Sequence, residues 1–464
     1  MSEEICFDDA TGLAARIRAR ELSPVEVTTA FLDRIEAADP GVHALVTLAG
    51  DALEQAREAE EAAVRGEFRG PLHGVPFTAK DCFDTAGVRT TRGSLIFADL
   101  VPDTDAAAVG RLKAAGGILI GKTNLPEFAL RAETANRLFE RTLHPMDPER
   151  TCGGSSGGEA AAVSSGLSPL GIGTDLGGSN RLPSHYCGNV GFKPTHGRVP
   201  LTGSWPELTC RHMHAGPLCR SVRDAALALS VLSGPDGEDP YATSEPFRLE
   251  EEAEGGIAGL RVGVFSEGPF APVEKEIRGA VSGAAAALEG AGCMVEEVEF
   301  DWSDRMPIDV CMTMVRAELR GYLEPFIDGR DEELSEPIRG LLDLPRPSLE
   351  EFLESMDKRD LLARDMAGFF AGHQLLLCPT SPVTAHGHEA ETLLIDGEEA
   401  GPGHAANITA AFGLVGCPAV SVPFARTGEG LPIGVQVAAR HFDEATLFRA
   451  AAALESAGGQ SRGA

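Results

Sequence analysis

Two serines, each within a glycine-rich stretch, and one lysine are the residues whose types and spacing best suit chemistry. Ser155 lies in the stretch 151–159 (TCGGSSGGE), and Ser179 lies in the stretch 173–181 (GTDLGGSNR). Glycines around a serine let the backbone approach a substrate carbonyl and direct amide N–H groups at it. Lys80 ends an apolar, strand-like run, where loss of water would lower its pKa and make it a base. These residues predict acyl transfer by an activated serine without a histidine.

Further motifs, spread over nearly the whole chain, resemble those of the amidase signature family. They are 71–76 (PLHGVP), 80–81 (KD), 121–129 (GKTNLPEFA), 187–188 (CG), 191–195 (GFKPT), 378–380 (CPT), 416–419 (GCPA) and 431–436 (LPIGVQ). A single glycine–serine loop would be weak evidence. The ordered set, with both serines and the lysine in place, is specific to that family.

The resemblance implies a role for each matched catalytic residue. Ser179 corresponds to the family's nucleophile, Ser155 to a bridging serine that typically follows a cis peptide bond, and Lys80 to the terminal base. The backbone N–H groups that correspond to the oxyanion hole belong to Leu176, Gly177, Gly178 and Ser179. A neutral lysine could then take the nucleophile's proton through the bridging serine and return it to the leaving amine.

Four further matched residues are expected to support this group: Ser156, Thr174, Asp175 and Arg181. We expect Asp175 and Arg181 to form an ion pair or hydrogen-bonded frame that holds the turn of the nucleophile. For Ser156 and Thr174 two roles stay open, namely hydrogen bonds to the reacting groups or plain turn formation.

Two residues depart from the family pattern. Asn180 follows the nucleophile where an aliphatic residue is most common, which bears on local packing and on substrate preference. Cys152 stands where many members have proline. We interpret Cys152 as a small apolar filler and not as a second nucleophile.

Substrate contacts are expected from the serine loop and from two segments outside the motifs. Gly153 and Gly154 would approach the substrate with their backbone. The segments 205–219 and 302–322 carry aromatic, methionine and arginine residues that suit an apolar pocket with one polar group. Arg211 is the candidate pocket or gate residue. A methionine-rich stretch such as that of the second segment is equally typical of an ordinary core.

The pattern of elements predicts an α/β fold, with helices on both sides of a central mixed, largely parallel sheet. Predicted helices cover 52–65, 105–115, 124–130, 273–288 and 444–454, and another begins with a capping box at Ser23. Predicted strands cover 75–80, 118–120, 260–265, 294–300, 375–378, 419–423 and 433–438. We expect one domain over 1–464, with core motifs in 70–200 and a variable substrate-side insertion around 301–346.

Composition narrows the classes of partner. The 464 residues carry a formal net charge of -30, which disfavours nucleic acid and anionic lipid as partners. The ten cysteines are scattered without a CxxC pair, and no basic-then-apolar leader begins the chain, so we expect a cytoplasmic protein with reduced thiols. The chain has no HExxH motif and no third histidine-type ligand at a usual spacing, so we expect no cofactor and no metal. We expect a small-molecule substrate and a monomer or homodimer.

The function expected from this resemblance is hydrolysis of linear amides and anilides through an acyl-enzyme on Ser179. Carbamates (urethanes) and esters are plausible further substrates. An alternative is the glutamine-hydrolysing A subunit of a tRNA-dependent amidotransferase. A second alternative, the nucleophile elbow of α/β-hydrolases, would make Ser155 the nucleophile and needs a downstream histidine from the set His373, His386, His388, His404 and His441. Two His-x-His pairs, at 212–214 and 386–388, lack a third metal ligand at a usual spacing.

Overall fold

An eleven-stranded sheet forms the centre of the computed structural model, which describes residues 2–207, 212–245, 247–249 and 255–458. The strands are β1 Leu45–Leu48, β2 Pro76–Lys80, β3 Ile118–Thr123, β4 Leu170–Asp175, β5 Val190–Lys193, β6 His214–Cys219, β7 Arg261–Val264, β8 Met294–Glu297, β9 Leu375–Pro379, β10 Leu393–Ile395, β11 Glu398–Ala400, β12 Ala419–Arg426 and β13 Pro432–Ala439. The order in the large sheet is β1-β3-β2-β4-β6-β5-β12-β13-β9-β7-β8, and β10 and β11 form a separate hairpin.

The sheet is mixed, as expected, but its parallel share is smaller than expected. Parallel pairing is confined to two groups, β3-β2-β4 and β9-β7-β8. The strands between these groups pair antiparallel, from β4 through β6, β5, β12 and β13 to β9. The sequence predicted neither the strands β1, β4, β5 and β6 nor the partner of any strand, so the direction of pairing could not be counted from it.

Helices flank this sheet. They are α1 Ser2–Phe7, α2 Ala10–Arg18, α3 Pro24–Ala38, α4 Ala52–Arg65, α5 Ala107–Ala114, α6 Gly157–Ser164, α7 Arg181–Cys187, α8 Val222–Leu232, α9 Lys275–Gly290, α10 Pro307–Ile327, α11 Glu336–Asp343, α12 Leu349–Gly372, α13 Asn407–Val415 and α14 Glu444–Ala457. Short 3-10 turns cover Asp39–Gly41, Leu95–Phe97, Glu127–Ala129, Gly268–Phe270, Asp331–Glu333 and Pro402–Ala406. None of the described helices is long and apolar enough to cross a membrane.

Alternation along β9 shows that both faces of the sheet are buried. Leu375 and Leu377 belong to one hydrophobic cluster, which also contains the buried sides of α2, α3, α8, α9 and α14. Leu376 and Cys378 belong to a second cluster, shared with α10, α12 and α13. Because successive strand side chains point to opposite faces, helices cover the sheet on both sides, as expected.

Residues close in sequence determine where α3 begins and where α4 ends. Ser23 caps α3, accepting a hydrogen bond from the Glu26 amide at 3.1 Å, with Pro24 at the first helical position. Helix α4 ends at Gly66, which has the left-handed φ of 79° that glycine adopts without steric cost. The predicted helix start at Ser23 and the predicted helix over 52–65 are thus confirmed, but only the serine half of the predicted capping box is formed.

Candidate active site

Lys80 lies at the carboxyl end of β2, where the neighbouring strand β4 also ends. The two strands run parallel, with Thr78 paired to Gly171, so Lys80 and Thr174 emerge at the same edge. The Lys80 Nζ lies 2.7 Å from Ser155 Oγ and 2.9 Å from Thr174 Oγ1. Lys80 has no exposed surface, and this burial lowers its pKa to about 8. A substantial share of this amine is therefore neutral near physiological pH, as a base must be.

The buried carboxyl group of Glu159, near Lys80, does not hold the lysine in its charged form. Glu159, on α6, is fully buried and accepts a hydrogen bond from Thr78 Oγ1 at 2.7 Å. Burial raises the pKa of Glu159 to about 8, so its carboxyl is mostly protonated at neutral pH. A neutral Glu159 exerts little of the attraction by which a carboxylate would raise the pKa of Lys80.

The serine loop presents Ser155 to this lysine. The Gly154–Ser155 peptide bond is cis, as the resemblance implied, and α6 begins two residues later at Gly157. The Ser156 amide donates to the carbonyl of Ser179 at 3.1 Å, which joins the two serine loops directly. The sequence-predicted serines therefore meet at one place, with the Ser155 hydroxyl already in contact with the base.

The turn between β4 and α7 carries Ser179. Gly178 has a φ of 121°, and a Cβ there would lie 2.1 Å from Thr409 Oγ1, so only glycine fits. Thr409, on α13, donates to the carbonyl of Gly177 at 2.7 Å. Ser179 itself is half-buried, in contrast to the fully buried Lys80. The candidate nucleophile is thus accessible to solvent, whereas the candidate base is shielded from water.

Three of the four backbone N–H groups expected to form the oxyanion hole have no hydrogen-bond acceptor among the described residues. The Gly178 amide instead donates to Asp175 Oδ1 at 2.9 Å. For Leu176, Gly177 and Ser179, the described part of the chain supplies no acceptor to the backbone N–H. Amides held without a partner beside a nucleophile suit an anion that forms only during reaction. The Gly178 N–H is thus already engaged by the carboxylate that shapes the turn, and the oxyanion-hole role of the other three amides stays a prediction.

Asp175 and Arg181 form the frame expected from the sequence. Their side chains are fully buried, with Arg181 Nη2 2.8 Å from Asp175 Oδ1 and Nε 3.0 Å from Oδ2. Burial raises the pKa of the Asp175 carboxyl, but the charge and hydrogen bonds of Arg181 outweigh that effect and leave the pKa below its usual value. Arg181 also donates to Gln436 Oε1 at 2.7 Å and to the carbonyl of Thr409 at 2.9 Å. The frame therefore ties the turn to β13 and α13.

Replacing Arg181 with methionine is expected to lower the free energy of unfolding by about 3–5 kcal/mol, because it leaves a buried carboxylate without its partner. Urea unfolding would measure the change. The double variant Asp175→Asn with Arg181→Met should be less destabilised than the single variant, since no uncompensated charge remains buried. Equal or greater destabilisation of the double variant would contradict a charge-based role for the frame.

Three further residues complete the site: Asn180, Thr409 on α13 and Gln436 on β13. Only Asn180 was singled out from the sequence. Asn180 accepts from Ser156 Oγ at 3.0 Å and donates to the carbonyls of Phe192 and Gly216. Its amide side chain thus joins the serine loop to β5 and β6, a role that an aliphatic residue could not fill. Thr409 and Gln436 were missed as site residues. The only available signal was the position of Gln436 within the motif 431–436.

The other sequence candidates have packing roles or lie elsewhere. A Cβ on Gly154 would lie 2.7 Å from the Glu133 amide, and one on Gly153 would lie 3.1 Å from Pro183 Cα, so close packing requires both glycines. Their contact with substrate stays a prediction. Cys152 is buried, and burial raises its pKa to about 12, which agrees with a filler role. Arg211 lies outside the described residues.

The histidines needed for a nucleophile elbow are engaged elsewhere. His373 bonds Glu296, and the other four bond backbone carbonyls: His386 to Gly387, His388 to Pro148, His404 to Pro272 and His441 to Val415. Ser155 contacts Lys80 instead. The elbow interpretation is therefore wrong. Within the described ranges, no group of three His, Cys, Asp or Glu side chains is placed to hold a metal ion.

The chain has an α/β fold with a mixed sheet, and Lys80 contacts Ser155 beside the half-buried Ser179. These are features of a hydrolase class that uses lysine where others use histidine. The Amidase family model matches residues 26–448. The chain belongs to this amidase signature family of enzymes that act on carbon–nitrogen amide bonds.

Relatives of two kinds resemble the chain. The A subunit of the glutamyl-tRNA(Gln) amidotransferase of Moorella thermoacetica is 36% identical, over 97% of each chain. Among solved structures, a bacterial aryl acylamidase of the amidase signature family has a TM-score of 0.90 at 29% identity, covering 97% of this chain and 96% of that one. The corresponding amidotransferase chain of Thermotoga maritima has a TM-score of 0.78 at 30% identity, covering 93% and 91%.

Proposed function

We propose that the protein is a stand-alone amidase that hydrolyses linear amides and anilides through an acyl-enzyme on Ser179, with carbamates and esters as further substrates. The observation that carries the proposal is the buried contact of 2.7 Å between Lys80 Nζ and Ser155 Oγ, beside an accessible Ser179. This arrangement supplies a base, a relay and a nucleophile without a histidine.

The proposed reaction proceeds in two acyl-transfer steps. Neutral Lys80 takes the proton of Ser155, and Ser155 takes the proton of Ser179 as its Oγ attacks the carbonyl carbon. The oxyanion accepts hydrogen bonds from the unpaired amides of the turn, each of which is worth on the order of 3 kcal/mol of barrier. Ser155 then returns a proton to the leaving amine. Water attacks the acyl-enzyme by the same route in reverse, releasing the acid.

Similarity to the amidotransferase relatives favours a second candidate function, glutamine hydrolysis within a complex. The 36% identity to the Moorella thermoacetica protein supports it. Against it stands the closer backbone likeness to the aryl acylamidase, with TM-scores of 0.90 and 0.78 respectively for the acylamidase and the Thermotoga maritima protein. Both candidate functions would use the same three side chains, so the substrate and the need for a partner and tRNA separate them.

A substrate panel tests the choice between the two. An anilide, a primary amide, glutamine, a p-nitrophenyl ester and an aryl carbamate would be compared by kcat/KM with the purified chain alone. We expect the anilide or primary amide to exceed glutamine by at least about tenfold, a difference of ~1.4 kcal/mol. A preference for glutamine, or activity that requires an added partner and tRNA, would favour the amidotransferase function. The panel compound with the highest kcat/KM would place the enzyme among amidases, esterases or urethanases.

The pH dependence of kcat/KM is expected to follow the titration of the base. Lys80 must be neutral to accept a proton, and its pKa is about 8. Activity should therefore rise about tenfold per unit of pH below this value and level off above it. A pH–rate profile with a stable amide substrate would measure the midpoint. A midpoint near the ordinary lysine value of 10.5 would contradict the role of burial in activating this residue.

A further inference from the structure

A cavity of about 300 Å³ lies between α10 and the end of α11 with the segment that follows it, within the region expected from the sequence to be variable. Three arginines line it: Arg316 and Arg320 on α10, and Arg346 on the segment. Arg316 and Arg320 are four residues apart and so share one face of the helix. Three arginines thus line one cavity although the chain as a whole carries a net charge of -30.

Protein partners use only part of the hydrogen-bonding capacity of these arginines. Arg316 Nη2 donates to the carbonyl of Pro345 at 2.6 Å, and Arg320 Nη2 donates to that of Leu342 at 3.1 Å. These bonds fix the cavity wall to α10. The Nε of Arg316 is buried without an acceptor. Among the described residues, no carboxylate lies within ion-pair distance of any of the three arginines. The remaining donors are available to an anion.

The rest of the lining decides which anion fits. Leu319, Leu341 and Leu344 supply apolar walls, and Asp343 contributes the one acidic group of the lining. Arginine forks match the two oxygens of a carboxylate, and the leucines suit an alkyl or aryl chain. A multiply charged phosphate would gain nothing from the apolar walls, and Asp343 would repel it more strongly than it repels the single charge of a carboxylate. We propose that this cavity binds a carboxylate with a short apolar chain.

Titration of the intact protein with hexanoate, followed by calorimetry, tests the site without reference to catalysis. Arg346 is exposed and makes no hydrogen bond to the described protein, so the Arg346→Gln variant is expected to fold normally. It should weaken hexanoate binding about tenfold, the effect of losing one charge-assisted hydrogen bond. Arg320→Gln should act similarly. The matched control is Arg339→Gln on α11, whose exposed side chain does not line the cavity and whose loss should change nothing.

Two further probes test whether the cavity requires both the charge and the apolar chain of hexanoate. Hexan-1-ol, which has the chain without the charge, should bind at least about tenfold more weakly than hexanoate, and inorganic phosphate should also bind more weakly. Hexanoate binding that is equal in wild type, Arg346→Gln and Arg320→Gln would overturn the proposal, because the acid would then be bound elsewhere, for example at the serine loops. Tighter binding of phosphate than of hexanoate would overturn it as well.

Discussion

Alanine in place of Ser179 is expected to reduce kcat/KM for an amide substrate by about 10⁴-fold or more, with little change in folding. The Ser179 side chain makes no hydrogen bond to the described protein, and the turn is held by backbone and Asp175 contacts that the variant keeps. Loss of the hydroxyl therefore removes the proposed nucleophile without removing a structural contact. Steady-state kinetics and the thermal midpoint of unfolding would be measured together.

Comparison with Ser155→Ala sharpens this test. Ser155 contacts Lys80, and in the proposed mechanism it relays the proton of Ser179, so its loss should lower both acylation and protonation of the leaving amine, by about 10²–10⁴-fold. Ser179→Ala should give no acyl-enzyme detectable by mass spectrometry, whereas Ser155→Ala retains the group that is acylated. Ser282→Ala, an exposed serine on α9, serves as the control and should be fully active. Full activity of Ser179→Ala would exclude it as the nucleophile.

The sequence anticipated the site better than the elements that surround it. Lys80, Ser155 and Ser179 occur in short motifs whose residue types are restricted by chemistry, and the structure brings the three motifs together. The partners that hold the turn come from α13 and β13, more than 200 residues away, as in the bonds of Thr409 and Gln436. Such contacts depend on strand order, which hydrophobic periodicity does not contain.

The predicted helix over 124–130 shows how side-chain contacts override a local pattern. The structure has only a 3-10 turn at Glu127–Ala129, with φ values of 58° at Phe128 and Ala129. Glu127 accepts hydrogen bonds from Ser94 Oγ and from the Ser335 amide, which tie the turn to two distant segments. Phe128 packs against Trp205 with ring centroids 4.9 Å apart. These tertiary contacts, not the propensities of the segment, determine its path.

The sequence singled out the region around 301–346 from its composition, but it did not predict the helices of that region. Helix α10, Pro307–Ile327, was not predicted, because Pro307 and Pro325 and the mixed methionine and charged residues obscure its period. Once folded, its apolar side contributes Val310, Met314 and Leu319 to the second hydrophobic cluster. A Cβ on Gly177 would lie 3.9 Å from Ile308, so the start of α10 borders the nucleophile turn. Its contact with substrate stays a prediction.

Replacing Lys80 with methionine is expected to lower kcat/KM by about 10²–10⁴-fold while leaving the protein at least as stable as the wild type. The amine is fully buried, contacts two hydroxyl groups and has no carboxylate within ion-pair distance in the described structure. Removing it relieves the desolvation cost of a buried amine, a cost that the proposed role as a base would explain. Kinetics and urea unfolding on the same preparation would measure both effects.

Lys122 provides the matched comparison, because it is equally buried but structural. Its Nζ lies 3.4 Å from Asp81 Oδ1 and donates to the carbonyl of Phe83 and to Thr90 Oγ1. Lys122→Met strands the buried Asp81 carboxyl, so it should cost about 3–5 kcal/mol of unfolding free energy. The two variants should therefore fail in opposite ways: Lys80→Met folded but inactive, and Lys122→Met destabilised. If Lys80→Met were as destabilised as Lys122→Met, its loss of activity would reflect folding, and the assignment of Lys80 as the base would lose its support.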